Sequence, residues 1–395
     1  MAFDWINEYM ELTSNVRSPD SFRLWSGLTV LSSVLDRKVW TETDNGRTMP
    51  NLFIVLAGGP ASGKGIALNE ARDMLRSLSG AGEVFLGPDN PSGASLLDEF
   101  ERAERAANGL GVPSYSPVTI LARELASFMP KYDMNFAANL SDIYDNPLTF
   151  TAPRRSSKSL ILQAPTLNLT MAATPDTLLD SIPEAAWGQG FTSRIIFVYG
   201  VAPTKYRDPF KKRKDLDKTK LTKPLKEYYY ELKGEFDWDA DAADALRFWV
   251  NEGGMEPVPD YARLVNYNGR RHIHLMKLCM LSAVSAGNGC AVTISDFERA
   301  QEWLFLTEKF MPDVFRAMTQ KNDSQIIGDM HYWMRNEQSN GTPPRKGLPE
   351  PELYRWLGEK VPHEKIPSLI KTMESSGLMR KNPNGSWTAT PMSKL

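Results

Sequence analysis

Residues 51–72 read Asn-Leu-Phe-Ile-Val-Leu-Ala-Gly-Gly-Pro-Ala-Ser-Gly-Lys-Gly-Ile-Ala-Leu-Asn-Glu-Ala-Arg. Their first part, residues 52–57, is a continuous apolar run, which is typical of a strand buried on both faces of a parallel sheet. Residues 58–64 then fit the pattern G-x-x-x-x-G-K, and apolar residues return at helical spacing over residues 66–78. This order of strand, glycine-rich loop and helix predicts a phosphate-binding loop.

The residue types of this loop suit the binding of ATP. Glycines allow backbone N–H groups to turn inward around a phosphate, and the N-terminus of the following helix adds a partial positive charge. The amine of Lys64 would reach the β- and γ-phosphates. The predicted nucleotide contacts are Gly58, Gly59, Pro60, Ala61, Ser62, Gly63, Lys64, Gly65 and Ile66.

Gly65 departs from the motif. The residue after the lysine is normally a Ser or Thr whose hydroxyl holds Mg²⁺, and glycine has no such oxygen. The sequence therefore supports nucleotide binding better than efficient hydrolysis. Another oxygen, or water, would have to complete the Mg²⁺ shell.

Length and composition limit the class of protein. A chain of 395 residues has room for two or three domains, and its net charge of -2 gives no overall basic field. Any contact with nucleic acid has to come from local basic patches. The two cysteines, Cys279 and Cys290, show no C-x-x-C spacing, and no apolar run approaches the ~18 residues of a membrane span. We expect a protein of the reducing cytoplasm, with no structural zinc, signal peptide or membrane segment.

Further apolar runs predict the other strands of the sheet, at residues 83–86, 117–124, 165–174 and 195–199. Because helical segments separate these runs, the pattern indicates an α/β fold with a five-stranded parallel sheet. The third strand ends in Glu124, at the position beside a phosphate loop where ATPases hold a catalytic base and a Mg²⁺ ligand. The usual Asp-Glu pair is here Arg123-Glu124, which leaves metal binding in doubt. A role for Glu124 as a helix cap is the alternative.

The order of these features resembles the AAA+ ATPases. In that family the fourth strand ends in a polar sensor residue, matched here by Thr174 or, less well, by Asn168. A Ser-Arg before the fifth strand is the arginine finger of DNA initiators and clamp loaders, and Ser193-Arg194 matches it. Such an arginine acts on the nucleotide of a neighbouring subunit, so the resemblance implies a ring or helical assembly. The alternative for Arg194 is a surface salt bridge.

A second resemblance is looser and covers roughly residues 20–310. Residues 51–53, 124–128 and 190–194 look like a family of phage and prophage P-loop proteins that are labelled helicase or primase-helicase. This resemblance implies a protein of bacteriophage replication in the cytoplasm of a bacterial host.

Residues 148–162 alternate on either side of a basic turn and predict a β-hairpin. A hairpin just before the sensor strand resembles the pore hairpin of the minichromosome-maintenance and viral superfamily-3 helicases. Arg154, Arg155 and Lys158 at its tip would grip the DNA backbone without reading bases. Charges solvated in an ordinary turn are the alternative.

The sequence as a whole predicts five regions. They are an N-terminal helical cap (1–50), the ATPase core (51–203), a basic linker (204–227), a helical lid (228–320) and a winged-helix domain (324–395). The lid would supply a second-sensor arginine to the nucleotide, and we favour Arg271 over Arg270.

The last region carries cations on its third helix and on its hairpin. These are Lys365, Lys371, Arg380 and Lys381. DNA contact is the predicted role, since winged helices place such residues on the duplex. Protein docking stays open, because Glu364 and Glu374 lie on the same helix.

These observations together predict an AAA+ ATPase that uses ATP and Mg²⁺ and moves on single-stranded or forked DNA as a hexameric helicase. Other replication proteins are possible partners, and no membrane is expected. A helicase loader or initiator that uses ATP as a switch is the second reading, and slow hydrolysis would suit it. A non-catalytic DNA-binding scaffold with a degenerate loop is the third.

Overall fold

A computed structural model describes residues 3–80, 82–89, 93–129, 133–152, 159–182, 187, 190–201, 218–251, 257–339, 345–358, 360–361 and 363–391. The chain divides into two units, Met1–Phe315 and Arg316–Leu395. Among the helices of the residues described, none combines the length and the apolar character needed to cross a membrane.

The strands of the described residues are numbered in chain order. They are β1 Val39–Thr43, β2 Gly46–Thr48, β3 Phe53–Ala57, β4 Arg105–Ala106, β5 Ser114–Ala122, β6 Thr149–Ala152, β7 Leu160–Gln163, β8 Pro165–Ala173, β9 Ile195–Tyr199, β10 Gly234–Glu235, β11 Asp237–Trp238, β12 Ala291–Val292, β13 Met379–Lys381 and β14 Trp387–Ala389.

The central sheet of the first unit has five strands in the order β4-β5-β8-β3-β9. Its β5–β8, β8–β3 and β3–β9 pairs are parallel, and only the short edge strand β4 is antiparallel. Ala57 pairs with both Ala173 and Tyr199, so three strands end at one edge of the sheet. The strands β3 and β8 are buried along their whole length, as their apolar runs predict. The α/β class and the mostly parallel sheet are confirmed.

The second strand expected from the sequence is different. Residues 83–86 contribute one bridge, between Leu86 and Thr119, and β4 takes the edge of the sheet instead. Gly82 precedes this segment with a φ of 88° and Pro88 follows it, so too few residues remain for a ladder.

The helices of the described residues are Trp5–Leu12, Asp20–Leu35, Lys64–Ser79, Gly93–Ala103, Leu125–Phe128, Met134–Tyr144, Pro175–Ser181, Gly190–Ser193, Thr219–Glu231, Ala240–Asn251, Val265–Asn268, Arg271–Ser285, Ile294–Glu308, Met311–Ser339, Glu350–Gly358 and Ile366–Ser375. Short 3₁₀ turns add Ala262–Leu264 and His363–Lys365.

The helix Asp20–Leu35 is an inner element, whereas the sequence predicted a peripheral cap. It is buried on nearly every side. Trp25 Nε1 donates to the Thr307 hydroxyl at 2.7 Å, and the hydroxyls of Thr29 and Thr170 lie 2.8 Å apart. Because these bonds reach the lid and the sheet, the segment joins the two.

The predicted basic linker, residues 204–227, lies partly outside the described residues. From residue 219 onward it belongs to the helix Thr219–Glu231, whose Leu221 and Leu225 are buried. Trp5 Nε1 donates to the Leu221 carbonyl oxygen at 3.0 Å, which fixes this helix to the N-terminal helix. The sequence was read as a linker because its charge is high, but its two leucines at i, i+4 form an apolar contact face.

The region predicted as a helical lid has a break at Gly269 and Arg270, and the helix Arg271–Ser285 begins there. This helix is anchored to the N-terminal edge of the central sheet. Lys277 Nζ donates to the Asn51 carbonyl oxygen at 2.9 Å, and His274 Nε2 lies 3.1 Å from the Ser193 carbonyl oxygen.

The second unit has its own apolar core, built on the helices and the terminal hairpin. Two helices follow Leu348, and β13 and β14 form an antiparallel hairpin after these helices. A single bridge joins Leu348 to Trp387 in β14. The strands β13 and β14 are joined by a turn at Asn384-Gly385, where Gly385 has a φ of 81° and Asn382 N donates to the Ser386 carbonyl oxygen at 2.7 Å. The winged-helix assignment stays a prediction.

Candidate phosphate-binding site

The loop at residues 58–64 connects β3 to the helix Lys64–Ser79, as the sequence predicts. Gly63 precedes the helix with a φ of 93°, and a Cβ there would lie 2.8 Å from Ser18 Cα. A Cβ at Gly58 would collide with the Gly200 carbonyl oxygen and lie 2.8 Å from Ser62 Oγ. Both positions therefore require glycine. The first N–H groups of the helix have no partner within it, so they are available to an anion.

The amine of Lys64 lies over this loop. Its Nζ donates to the carbonyl oxygens of Gly58 at 2.7 Å and Gly59 at 2.8 Å, and to Ser62 Oγ at 3.2 Å. Burial, the larger effect, lowers the pKa of this amine, and the carboxylate of Glu124 acts in the opposite direction. Lys64 is thus positioned at the loop with Glu124 as its nearby negative charge.

Glu124 is exposed at the carboxyl end of β5. It occupies the N-cap position of the helix Leu125–Phe128, but its side chain makes no cap hydrogen bond. The carboxylate therefore does not serve as a cap. The sequence predicts that the strand of Glu124 lies beside the loop strand. In the structure β8 lies between β5 and β3, so these two strands are not direct neighbours.

Arg123 takes the place of the usual aspartate and faces other partners. Its Nη2 donates to Asn69 Oδ1 at 3.1 Å, and its Nε lies 3.8 Å from Asp89 Oδ2. Gly65 provides no oxygen, and a Cβ there would meet nothing within 4 Å. The described residues contain no cluster of three His, Cys, Asp or Glu side chains fit to hold a metal.

Thr174 follows β8 directly and lies next to the loop, because Gly58 N donates to the Ala173 carbonyl oxygen at 3.2 Å. Its hydroxyl accepts from Thr177 N at 3.2 Å and caps the helix Pro175–Ser181. The alternative sensor, Asn168, is buried and accepts from Leu52 N at 3.0 Å, before β3. Of these two residues, the structure brings only Thr174 to the loop.

An apolar cavity of about 460 Å³ lies near the loop, although no residue of the loop lines it. Gly200 lines this cavity and also limits the space at Gly58. Leu24 comes from the inner helix, and Leu306 and Phe310 come from the lid. The sequence carried no signal for this cavity, since the elements that form it are far apart in the chain.

Arg194 lies at the opposite end of the strands from the loop, where β3 and β9 begin. The next residue, Ile195, pairs with Phe53 at the start of β3, so five residues of strand, about 16 Å, separate it from the loop. Its side chain is 9% exposed. Its guanidinium forms a two-bonded ion pair with Asp145 and donates to the Gly190 carbonyl oxygen at 2.6 Å. The salt bridge considered for Arg194 is present, but the guanidinium is buried rather than on the surface.

Asp145 has a second partner in Arg270, whose Nη1 lies 3.1 Å from its Oδ1. Burial, the largest single effect, raises the pKa of Asp145, but the bonds and charges of the two arginines outweigh it and leave the pKa lowered. Arg270 thus has a carboxylate partner at this edge of the sheet.

Arg271 is fully buried in the lid. It binds Glu308 through Nε at 2.8 Å and Nη2 at 2.7 Å, and Nη2 also donates to the Pro257 carbonyl oxygen at 2.9 Å. The structure does not bring this predicted second-sensor residue to the phosphate loop.

Both arms of the hairpin predicted before the sensor strand are present. β6 and β7 pair antiparallel from Thr149 with Gln163 to Ala152 with Leu160. The tip residues, Arg154, Arg155 and Lys158, lie outside the described residues.

The predicted DNA-binding cations of the second unit are all exposed. Lys365 pairs with Asp323 at 3.3 Å, and Lys381 pairs with Glu350 at 2.9 Å. Within the described residues, Lys371 and Arg380 form no ion pair.

Neither a model of a known protein family nor a curated protein sequence matches this chain.

Proposed function

We propose that the chain is an ATP-dependent AAA+ motor that acts on DNA as a ring helicase. The observation that carries this proposal is the meeting of Lys64, Glu124 and Thr174 at one edge of the sheet. Lys64 lies over the loop, Glu124 is close enough to affect its pKa, and Thr174 follows the residue that binds Gly58 N. A cation, a carboxylate and a hydroxyl at a phosphate loop suit phosphoryl transfer to water.

The residues fit ATP. Gly58 and Gly63 keep the loop open for close approach of a phosphate, and the helix N-terminus stabilises negative charge. The apolar cavity of about 460 Å³ beside Gly200 has the character that a nucleotide base requires.

The residues do not supply the usual ligands of Mg²⁺. Gly65 lacks the hydroxyl and Arg123 stands where an acid is normal. Mg²⁺ would therefore be held chiefly by phosphate oxygens and water.

In this proposal each of the four functional residues has one role. Lys64 binds the β- and γ-phosphates, Glu124 orients the attacking water, and Thr174 senses the γ-phosphate. Arg194 stabilises the charge of the transition state in a neighbouring subunit, because about 16 Å of strand separates it from its own loop. It must first leave Asp145, so assembly and release of this pair would be coupled.

The DNA part of the proposal rests on the hairpin. Its arms, β6 and β7, lead directly into β8, which ends at Thr174. A change at the nucleotide would therefore be transmitted along β8 to the hairpin. The sequence gives its tip Arg154, Arg155 and Lys158, which suit the phosphate backbone.

A second function, an ATP-dependent helicase loader or initiator, is favoured by one specific observation. Arg194 is bound by Asp145 within its own chain, and Gly65 and Arg123 replace two residues that speed hydrolysis. An ATPase that turns over slowly until a partner rearranges it would act as a switch rather than as a motor.

ATP turnover with and without single-stranded DNA tests the first proposal. We expect strong stimulation by DNA in the parent, and no ATP binding in Lys64→Ala, while Arg76→Ala on the exposed face of the same helix serves as the control. Unchanged ATP affinity in Lys64→Ala would remove the basis of the proposal.

Unwinding of a forked duplex separates the motor from the switch. We expect Arg154→Ala with Arg155→Ala to abolish unwinding and to reduce the salt dependence of DNA binding by ~0.7 in log–log slope for each lost contact. Lys365→Ala with Lys371→Ala is the matched variant in the second unit. If the hairpin variant unwinds as well as the parent, the switch takes the place of the motor.

A further inference from the structure

A second cavity, of about 470 Å³, lies at the other edge of the sheet from the phosphate loop. The β1–β2 hairpin supplies Arg47, the segment after the helix Met134–Tyr144 supplies Asp145, and the start of the helix Arg271–Ser285 supplies Arg270 and Lys277. The proposed mechanism involves one residue of its wall, Asp145 as the partner of Arg194, and assigns no ligand to the cavity.

Its charges are not balanced. Arg47, Arg270 and Lys277 line it, and Arg194 lies behind it on Asp145. The carboxylates near these cations are Asp145, the exposed Glu42, which lies 3.4 Å from Arg47, and the exposed Asp44, whose charge acts on His272 in the cavity wall. Four cations against three carboxylates leave one positive charge in excess.

Lys277 makes this excess costly. It is 2% exposed, its Nζ donates to two oxygens of Asn51 at 2.9 and 2.7 Å, and it lies 3.8 Å from the centre of the Tyr144 ring. Within the described residues it forms no ion pair. A buried ammonium with only neutral partners is destabilising, and burial accordingly lowers its pKa well below the ordinary value. An anion in the cavity would compensate it.

The size and polarity of the cavity narrow the choice of anion. A volume of about 470 Å³ is within the range of small-ligand sites, and Asn45, Thr48 and Asn146 add polar groups to the wall. The helix Arg271–Ser285 also points its N-terminus at the cavity, because His272 and Ile273 line it. A phosphoryl group carries about 1.5 to 2 negative charges at neutral pH, so it would offset the excess positive charge.

We propose that this cavity is a second phosphoryl-binding site, which takes the phosphate of a small phosphorylated molecule of up to nucleotide size, with Arg270 and Lys277 as its main ligands. The phosphoryl group has two sources, a free small molecule or the terminal phosphate of a nucleotide held by another copy of the chain. The site is separate from the phosphate loop, so it stands whether or not the proposed motor function is correct.

Calorimetric titration of the full chain with inorganic pyrophosphate tests the site, in a Lys64→Ala background that disables the phosphate loop. We expect one pyrophosphate to bind per chain, with an affinity that falls with added salt. Adding Arg270→Gln should weaken this binding about tenfold or more, because a charge-assisted bond is lost. Arg247→Gln is the matched control, since this arginine is exposed and its ion pair among the described residues is with the exposed Asp244.

Lys277→Met removes the buried charge as well, and its thermal unfolding shows whether it folds. Arg270 is a third exposed, so Arg270→Gln keeps the test valid if Lys277→Met does not fold. Equal pyrophosphate affinity in the Arg270→Gln and Arg247→Gln chains, or no binding in Lys64→Ala alone or in mixtures, would overturn the proposal.

Mixtures distinguish the two sources. Arg270→Gln chains have an intact phosphate loop and Lys64→Ala chains have an intact second cavity. If Arg270→Gln chains alone hydrolyse ATP slowly and adding Lys64→Ala chains restores the rate, the phosphoryl group belongs to a nucleotide on another copy. Pyrophosphate binding to Lys64→Ala chains without such recovery assigns the site to a free ligand.

Discussion

Arg271 and Glu308 form a two-bonded ion pair inside the lid, with Nε and Nη2 of the arginine at 2.8 and 2.7 Å from the two carboxylate oxygens. The Tyr267 hydroxyl donates to the same carboxylate at 2.9 Å. Both charged side chains are buried, and burial raises the pKa of Glu308 even though Arg271 acts in the opposite direction. The contacts of this arginine therefore hold the lid together.

Removing one partner of this pair should unfold the first unit more easily. We expect Arg271→Ala to lower the free energy of unfolding by about 3–5 kcal/mol in urea titrations, since Glu308 is left as an uncompensated buried charge. The double variant Arg271→Met with Glu308→Leu should recover most of this loss. Exposed Arg247→Ala is the control and should change stability by less than about 0.5 kcal/mol. Lost ATP affinity at unchanged stability in Arg271→Ala would instead support the second-sensor prediction.

Arg194→Ala tests the arrangement between subunits. We expect ATP binding to be nearly unchanged and hydrolysis to fall by ~10³-fold or more, because an arginine that acts on a neighbouring nucleotide contributes only to the transition state. Glu124→Gln should also abolish hydrolysis, but through its own loop. The two variants have intact complementary halves, so mixing them should restore part of the activity.

The measurement is steady-state ATP turnover across mixing ratios, with the thermal unfolding of each variant as a control for folding. No recovery at any ratio would show that Arg194 does not act between chains. In that case its ion pair with Asp145 is its whole role.

Gly65→Ser should restore the missing metal ligand. The position is open, because a Cβ would meet nothing within 4 Å, and the helix Lys64–Ser79 begins just before it. A hydroxyl there would add a Mg²⁺ ligand, and we expect the Mg²⁺ concentration for half-maximal hydrolysis to fall about tenfold. Gly65→Ala, which adds the Cβ without the oxygen, is the matched control. An equal response of the two variants would mean that the metal is held elsewhere.

The parts of the fold that the sequence predicted are those specified by local patterns. The loop at residues 58–64 was predictable because its glycines and the apolar run before it act on their own neighbours in the chain. The arms β6 and β7 were predictable for the same reason, since alternation over a few residues defines them. The position of Thr174 beside the loop was predictable because this residue directly follows a strand that is buried along its whole length.

The parts that it did not predict depend on contacts between distant residues. Asp145 and Arg194 are 49 residues apart and Lys277 and Asn51 are 226 apart, so no local pattern reports either pair. The helix Asp20–Leu35 was predicted to be part of an N-terminal cap, but its serines and threonines do not form an exposed polar face. They are instead satisfied by buried bonds, such as Thr29 with Thr170.

His274 makes the stability of the first unit sensitive to acid. It is buried, its Nε2 lies 3.1 Å from the Ser193 carbonyl oxygen, and its ring stacks on Tyr267 with the centroids 5.1 Å apart. Its pKa is lowered from 6.5 to about 3. Burial is the largest cause, the hydrogen bond to the Ser193 carbonyl opposes it, and the charges of Lys277, Arg270 and His272 act in the same direction as burial.

The stabilising effect of a neutral His274 should be complete above pH 6.5 and should be lost as the pH falls toward 3, because only the unfolded chain binds the proton in that window. We expect the parent to lose up to about 1.4 kcal/mol of unfolding free energy per pH unit relative to His274→Gln, which keeps a donor for the Ser193 carbonyl. Urea unfolding of both proteins at several pH values between 4 and 7 measures this difference. The exposed His363→Gln should follow the parent throughout. Parallel pH profiles for the parent and His274→Gln would mean that the imidazole is not neutral in the folded protein.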